Sequence, residues 1–163
     1  METAEKLKNK ILEGDALNTK VKEWKSAGKK IVFTNGCFDL LHAGHIAYLS
    51  EAAGLGDILI IGLNSDCSVS ALKGPTRPIN GETSRAMILA SMFFIDGVVL
   101  FSEDTPLELI TLIQPDVLVK GGDYEIHQIA GSEEVLANAG EVKVLSFLPG
   151  YSSSSIIEKI KNS

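Results

Sequence analysis

Two histidines three residues apart, His42 and His45, flank Gly44 just after an apolar run ends at Gly36. The run Ile31 to Asn35 reads as a buried strand. The pattern from Gly44 to Ala53 reads as a helix with Ile46, Leu49 and Ala53 on one face. Strand, polar loop and helix start aim backbone N–H groups and the positive end of a helix dipole at one point, which suits a phosphate. His42 and His45 can face that same point, and Gly44 permits close approach of backbone to it. Zinc is the competing chemistry, since Cys37, Asp39, His42 and His45 lie close together. The spacing C-x-D-x-x-H-x-x-H is not a usual structural zinc pattern and no second cysteine pair exists, and chiefly the surrounding motif favours phosphate.

Three further clusters carry charge or hydroxyls. Lys120-Gly-Gly-Asp-Tyr124 ends an apolar strand, where a lysine followed by two glycines can reach a phosphate. Gly150-Tyr-Ser-Ser-Ser-Ser155 precedes a helical pattern. One serine must cap the helix, and four exceed what a cap needs, so a second anion site is expected there. Leu72-Lys-Gly-Pro-Thr-Arg-Pro78 is a turn-rich loop with two cations. Arg85 sits in a helical pattern, with a surface or ion-pair role weighed equally against a functional one. His127 has no recognisable context.

Short apolar strands positioning these clusters are expected at 31–35, 58–63, 97–101, 116–120 and 142–147. Helices are expected at 44–53, 82–93, 106–113, 132–139 and 153–160, with a shorter one at 67–72 capped by Asp66. Thr105-Pro-Leu-Glu108 reads as a cap, a first-turn proline and a capping-box Glu, and Gly140 as a helix stop. Before them, helices are expected at 3–12, with Thr3 as cap, and at 16–27. These serve packing or a homo-oligomer contact. Strand–helix alternation predicts a parallel sheet covered on both faces, in an α/β doubly wound fold. Ligands then bind at the carboxyl ends of the strands.

The composition is that of a folded protein: 163 residues, 45% hydrophobic, 22% charged and mean hydropathy +0.17. A net charge of −6 argues against a nucleic-acid partner and makes lysines near glycines informative. No apolar run approaches a membrane span, and the charged start lacks a signal-peptide core. Two cysteines, Cys37 and Cys67, fit reduced thiols in a cytoplasm.

His42-Ala-Gly-His45 resembles the HxGH signature of the nucleotidyltransferase superfamily. Thr34-Asn-Gly-Cys-Phe-Asp-Leu-Leu-His42, Leu72-Lys-Gly, Arg77-Pro78, Pro115 to Tyr124 and Gly150-Tyr-Ser152 resemble one branch more closely, the bacterial D-glycero-β-D-manno-heptose 1-phosphate adenylyltransferases. That branch usually reads Gly-Tyr-Ser-Thr-Thr where this chain has Ser153 and Ser154. The resemblance, which runs from about Ile31 to Ile157, implies a five-stranded Rossmann-like sheet of order 3-2-1-4-5 in a transferase domain at 30–163; the helical pattern before it reads as an N-terminal extension at 1–29. It implies transfer of AMP from ATP to the sugar 1-phosphate, for lipopolysaccharide core synthesis. His42, His45 and Lys120 would be catalytic. ATP would be held by these three with Thr34, Asn35, Gly36, Cys37, Phe38, Gly44, Gly121, Gly150, Tyr151, Ser152, Ser153 and Ser154. The acceptor would meet Asp39, Asn64, Lys73, Arg77 and Arg85. Mg²⁺ would arrive with ATP, and no protein-bound metal is expected. Relatives are often fused to a sugar kinase, which this chain is too short to contain. Two alternatives remain: a cytidylyltransferase acting on glycerol or a related alcohol phosphate, and a nucleotide-binding module without turnover.

Overall fold

The computed structural model describes residues 2–163, with side chains from residue 4 onward; the cap expected at Thr3 lies outside them. Five strands, β1 (Ile31–Gly36), β2 (Ile58–Asn64), β3 (Gly97–Phe101), β4 (Val117–Gly121) and β5 (Glu141–Leu145), form one sheet of order β3-β2-β1-β4-β5. Every pairing is parallel, with Ile31 opposite Ile58 and Val32 opposite Val117. The order reverses at β1, which places β2 and β4 on its two sides.

Among the described residues eight α-helices flank the sheet: α1 (Glu2–Lys8), α2 (Gly14–Ser26), α3 (Ala43–Ala53), α4 (Asp66–Lys73), α5 (Glu82–Ala90), α6 (Leu107–Ile113), α7 (Ser132–Ala137) and α8 (Ser153–Lys161). The continuous apolar runs of the central strands split by alternation between two cores. Val32, Leu59, Ile61 and Val119 pack with Leu49 of α3 and Leu89 of α5. Ile31, Phe33, Ile60 and Leu118 pack with Leu17 and Val21 of α2, Ile110 of α6 and Val135 of α7.

Three aspartates tie the sheet together at its amino edge. Asp57, Asp96 and Asp116 each stand just before a strand. Each accepts a backbone N–H from the start of a neighbouring strand: Lys30 at 2.8 Å, Leu59 at 2.8 Å and Ile31 at 2.7 Å. These bonds satisfy backbone donors at the strand starts that the ladder leaves open.

Several expected boundaries move. The first helix stops at Lys8 because Leu12 donates to the Val98 carbonyl and Ile11 bridges to Val98, extending the sheet beyond β3. The second begins at Gly14, two residues early. Ser65, not Asp66, caps α4 by accepting from the Ser68 N–H. Thr105 makes no cap bond, and Pro106 occupies the cap position of α6. Helix α5 ends at Ala90, short of Phe93, and β5 ends at Leu145, short of Phe147. The left-handed residue after α7 is Ala139 rather than Gly140.

Candidate active site

The carboxyl ends of β1, β2, β3 and β4 open into one cavity of about 950 Å³. His45, Lys73 and Lys120 line it, delivered by α3, α4 and β4 from points 28 and 47 residues apart in sequence (73 − 45 and 120 − 73). Among the described residues no carboxylate pairs with Lys73 or Lys120. Two lysines and an imidazole therefore converge in a chain of net charge −6, and the lysines supply local positive charge suited to phosphates.

His45 is the best defined of them. Its Nδ1 accepts the backbone N–H of His42 at 3.3 Å, so the neutral ring carries its proton on Nε2. Burial first, then repulsion from His42 and Lys73, pushes its pKa down to about 4. His45 is thus a neutral donor across the physiological range. The His42 ring stacks on it with centroids 3.9 Å apart and, on its other side, lies 5.9 Å from Tyr151. Burial also lowers the His42 pKa. His42 sits behind His45 rather than on the cavity wall. Among the described residues its buried Nδ1 has no hydrogen-bond partner. Gly44 is required by packing: a Cβ there would lie 2.9 Å from the Tyr151 Cβ and 3.0 Å from His42 Nδ1. Burial lowers the Lys120 pKa, opposed by attraction to the nearby Cys37. The Lys120 ammonium lies 5.7 Å from the centre of the Tyr124 ring.

The β1–α3 loop is held from beneath by Arg85. This residue is fully buried. Its Nη1 donates to the Cys37 carbonyl at 2.6 Å and the Asn64 carbonyl at 2.8 Å. Its Nε donates to the Asn80 carbonyl at 2.9 Å, and its Nη2 to Asp66 Oδ1 at 2.7 Å. Arg85 was expected to touch substrate; it instead fastens the cavity floor, because no part of it reaches solvent. Asp39 is similarly committed. It accepts from Arg77 Nε at 2.7 Å and from the N–H groups of Ile79 and Asn80, both within 2.9 Å. Burial alone would raise its pKa, but these donors together hold it below the ordinary carboxylate value. Arg77 therefore braces the loop and does not line the cavity.

Other expected ligands also have protein partners. Thr34 is fully buried, its hydroxyl 2.6 Å from that of Tyr48. The Asn64 side chain donates to Ser68 Oγ at 2.8 Å. Cys37 faces the cavity beside Asn35, Gly36 and Phe38, and its thiol lies 4.0 Å from Asn64 Oδ1. Ser152 caps α8 by accepting from the Ser155 N–H at 3.0 Å. Ser153 donates to the Leu40 carbonyl at 2.8 Å and reaches the cavity. Gly150, Tyr151, Ser152 and Ser154 do not line it.

Sequence reasoning missed Tyr48, Phe101, Asp104 and Phe147, all on the wall. Phe147 lies across Gly121, where a Cβ would meet its ring at 2.5 Å. That contact explains the glycine and has no local signature. Tyr48 alone carried a local hint, a polar aromatic on the buried face of a helix. Its burial raises its pKa to about 12.

A doubly wound sheet with a cationic crevice at its switch point, opened by an HxGH turn, defines the class. The chain belongs to the cytidylyltransferase-like family, whose pattern matches residues 33–159. Among named relatives it is 56% identical, over 95% of its length, to the Bifunctional protein HldE of Citrifermentans bemidjiense. It is 53% identical, over 94%, to that of Wolinella succinogenes. The chain spans about a third of the length of these relatives, 32% in each case. The crystal structure of the lipopolysaccharide core biosynthesis protein from Thermoplasma volcanium superposes with TM-score 0.61 at 27% identity, covering 74% of this chain and 98% of that one.

Proposed function

We propose that this chain transfers AMP from ATP to D-glycero-β-D-manno-heptose 1-phosphate, giving ADP-heptose and pyrophosphate for lipopolysaccharide core synthesis. The observation that carries the reading is the convergence of His45, Lys73 and Lys120 on one cavity at the switch point. The name of the Thermoplasma structure, a lipopolysaccharide core biosynthesis protein, supports the process to which the reading assigns this chain.

The chemistry asks little of an acid or base. A sugar phosphate has a second pKa near 6, so it is largely dianionic at neutral pH. One of its oxygens attacks the α-phosphorus in line. The bond from that phosphorus to the bridging oxygen breaks, and the electron pair leaves with pyrophosphate. What remains is positioning and charge stabilisation. His45 donates through Nε2–H to an α-phosphate oxygen, and its low pKa suits it to donate while neutral. Lys120 supplies fixed charge from the β4 side, and Lys73 holds the acceptor phosphate on the β2 side. Cys37 is not a nucleophile here, since direct transfer needs no covalent intermediate.

Mg²⁺ enters with ATP. Among the described residues no three His, Cys, Asp or Glu side chains gather to hold a metal. A Mg²⁺ carried by phosphates needs only one or two carboxylates. Asp123, on the cavity wall and without a protein partner among the described residues, would fit that role. Held there with ATP, Mg²⁺ would neutralise phosphate charge. No described helix is long and apolar enough to cross a membrane; the substrates of this reading are small molecules, and we place the reaction in the cytoplasm.

The test is pyrophosphate release over a panel of nucleotides and acceptors. ATP with the heptose phosphate should give the fastest turnover. Preference for CTP with glycerol phosphate would replace the reading, and no release with any pair would leave a binding module.

A further inference from the structure

Leu72 and Asp104 face two spaces at once. One is the large cavity; the other is a recess of about 240 Å³ bounded also by Cys67, Ser68, Ala71 and Ser102. The recess therefore adjoins the cavity at Leu72 and Asp104, on its β2–β3 side. Its chemistry differs from that of the crevice. Asp104 has no protein partner among the described residues, and a bare carboxylate repels phosphate while accepting hydrogen bonds from hydroxyls. Ser102 adds a hydroxyl, which donates to Ser65 Oγ at 2.9 Å and keeps acceptor capacity. Leu72, 61% exposed, presents an apolar surface at the junction. The main cavity thus offers a cation at Lys73, and the space that shares Leu72 and Asp104 with it offers an aliphatic side chain and oxygen acceptors. Those groups match a phosphate, a carbon chain and hydroxyls. The volume is roughly eight times the share of one water in the liquid, enough for a terminal hydroxylated carbon and its solvent.

We propose that this recess receives the exocyclic end of the acceptor and sets a preference for a seven-carbon over a six-carbon sugar phosphate, with Asp104 accepting from its hydroxyls. The proposal rests on the functional reading above, with Lys73 at the acceptor phosphate.

The test compares D-glycero-β-D-manno-heptose 1-phosphate with β-D-mannose 1-phosphate, whose exocyclic chain is one carbon shorter. Ala71→Leu fills the recess from an exposed helix position that tolerates leucine. It should lower kcat/KM for the heptose phosphate by about tenfold and leave that for the mannose phosphate within about twofold. The KM for ATP should not move. Asp104→Asn, which fills nothing, should narrow the same ratio and carries the test alone if Ala71→Leu fails to fold. Equal losses on both acceptors, an unchanged ratio, or an altered Mg²⁺ requirement in Asp104→Asn would overturn the recess. A wild-type protein that releases pyrophosphate with neither sugar phosphate would overturn the functional reading itself, which is a separate result.

Discussion

The two walls of the crevice are built in opposite ways. The wall formed by the β1–α3 loop and the 74–81 loop rests on buried charge: Arg85 binds three carbonyls and Asp66, and Asp39 binds Arg77 and two backbone N–H groups. The opposite wall, from Ser146 through α8, has no buried residue in its helix. It is held by the Ser153 bond to Leu40, the Ser152 cap, and the contacts of Phe147 and Tyr151 with Gly121, Tyr48 and His42. A wall pinned by networked charges fails as a unit, because each acceptor left behind stays buried. A wall pinned by a few separate contacts loosens locally, at little cost to the whole fold.

Arg85→Met tests the first wall most severely. It leaves the Cys37, Asn64 and Asn80 carbonyls without their donor and should cost about 3–5 kcal/mol in denaturant unfolding. A loss below about 1 kcal/mol would mean that the wall does not depend on that guanidinium.

His45→Ala acts at the junction of the walls. We expect kcat to fall by roughly 10²–10³ with folding little changed, the scale of losing one preorganised donor. Near-normal turnover in a folded variant would remove His45 from the chemistry.

Stability against pH sharpens the same point. The His45 pKa falls from 6.5 to about 4 on folding, so between those values the unfolded chain binds more protons at this residue. Its contribution is fully present above pH 6.5 and is lost as pH falls toward 4. His45→Gln should flatten the stability profile in that window, and an unchanged slope would show that the ring is not desolvated as described. Asp39, whose folded pKa is lowered, loses its contribution only below the ordinary carboxylate range, so its effect falls at lower pH.

On the second wall, Gly121→Ala should push the Phe147 ring aside. Because that ring is 57% exposed, stability should change by less than about 1 kcal/mol, while the KM for ATP rises several-fold. A KM change confined to the acceptor would place Phe147 on the other substrate.

The smallest expected effect is Ser152→Ala. Losing the cap should cost about 1 kcal/mol at most, read as faster amide exchange confined to α8. Protection lost throughout the sheet would show that this wall is as integrated as the other.

The strands, the helix following the HxGH turn and the serine-led last helix were legible because each is a local signal: an apolar run, a periodicity, a cap. The serines show the limit of such reading. Ser152 and Ser153 are where a helix start was expected, but their hydroxyls bind the Ser155 N–H and the Leu40 carbonyl, the second of which no local pattern announces. Arg85 could be read as functional or structural with equal justice, since only its partners, 5 to 48 residues away in sequence, show that it lies under the site.

By itself the sequence determined the kinds of element, their alternation and the residues able to meet a phosphate, because hydrophobic period and turn chemistry act within a few residues. The tertiary structure alone decided which of those residues meet. Placing β4 beside β1 brings Lys120 toward His45 across 75 residues (120 − 45), and the return of α4 to the β2 edge brings Lys73 to the same cavity. It also decided which polar groups are spent inside the protein, since a side chain buried beside a carbonyl must satisfy that carbonyl before it can serve a ligand.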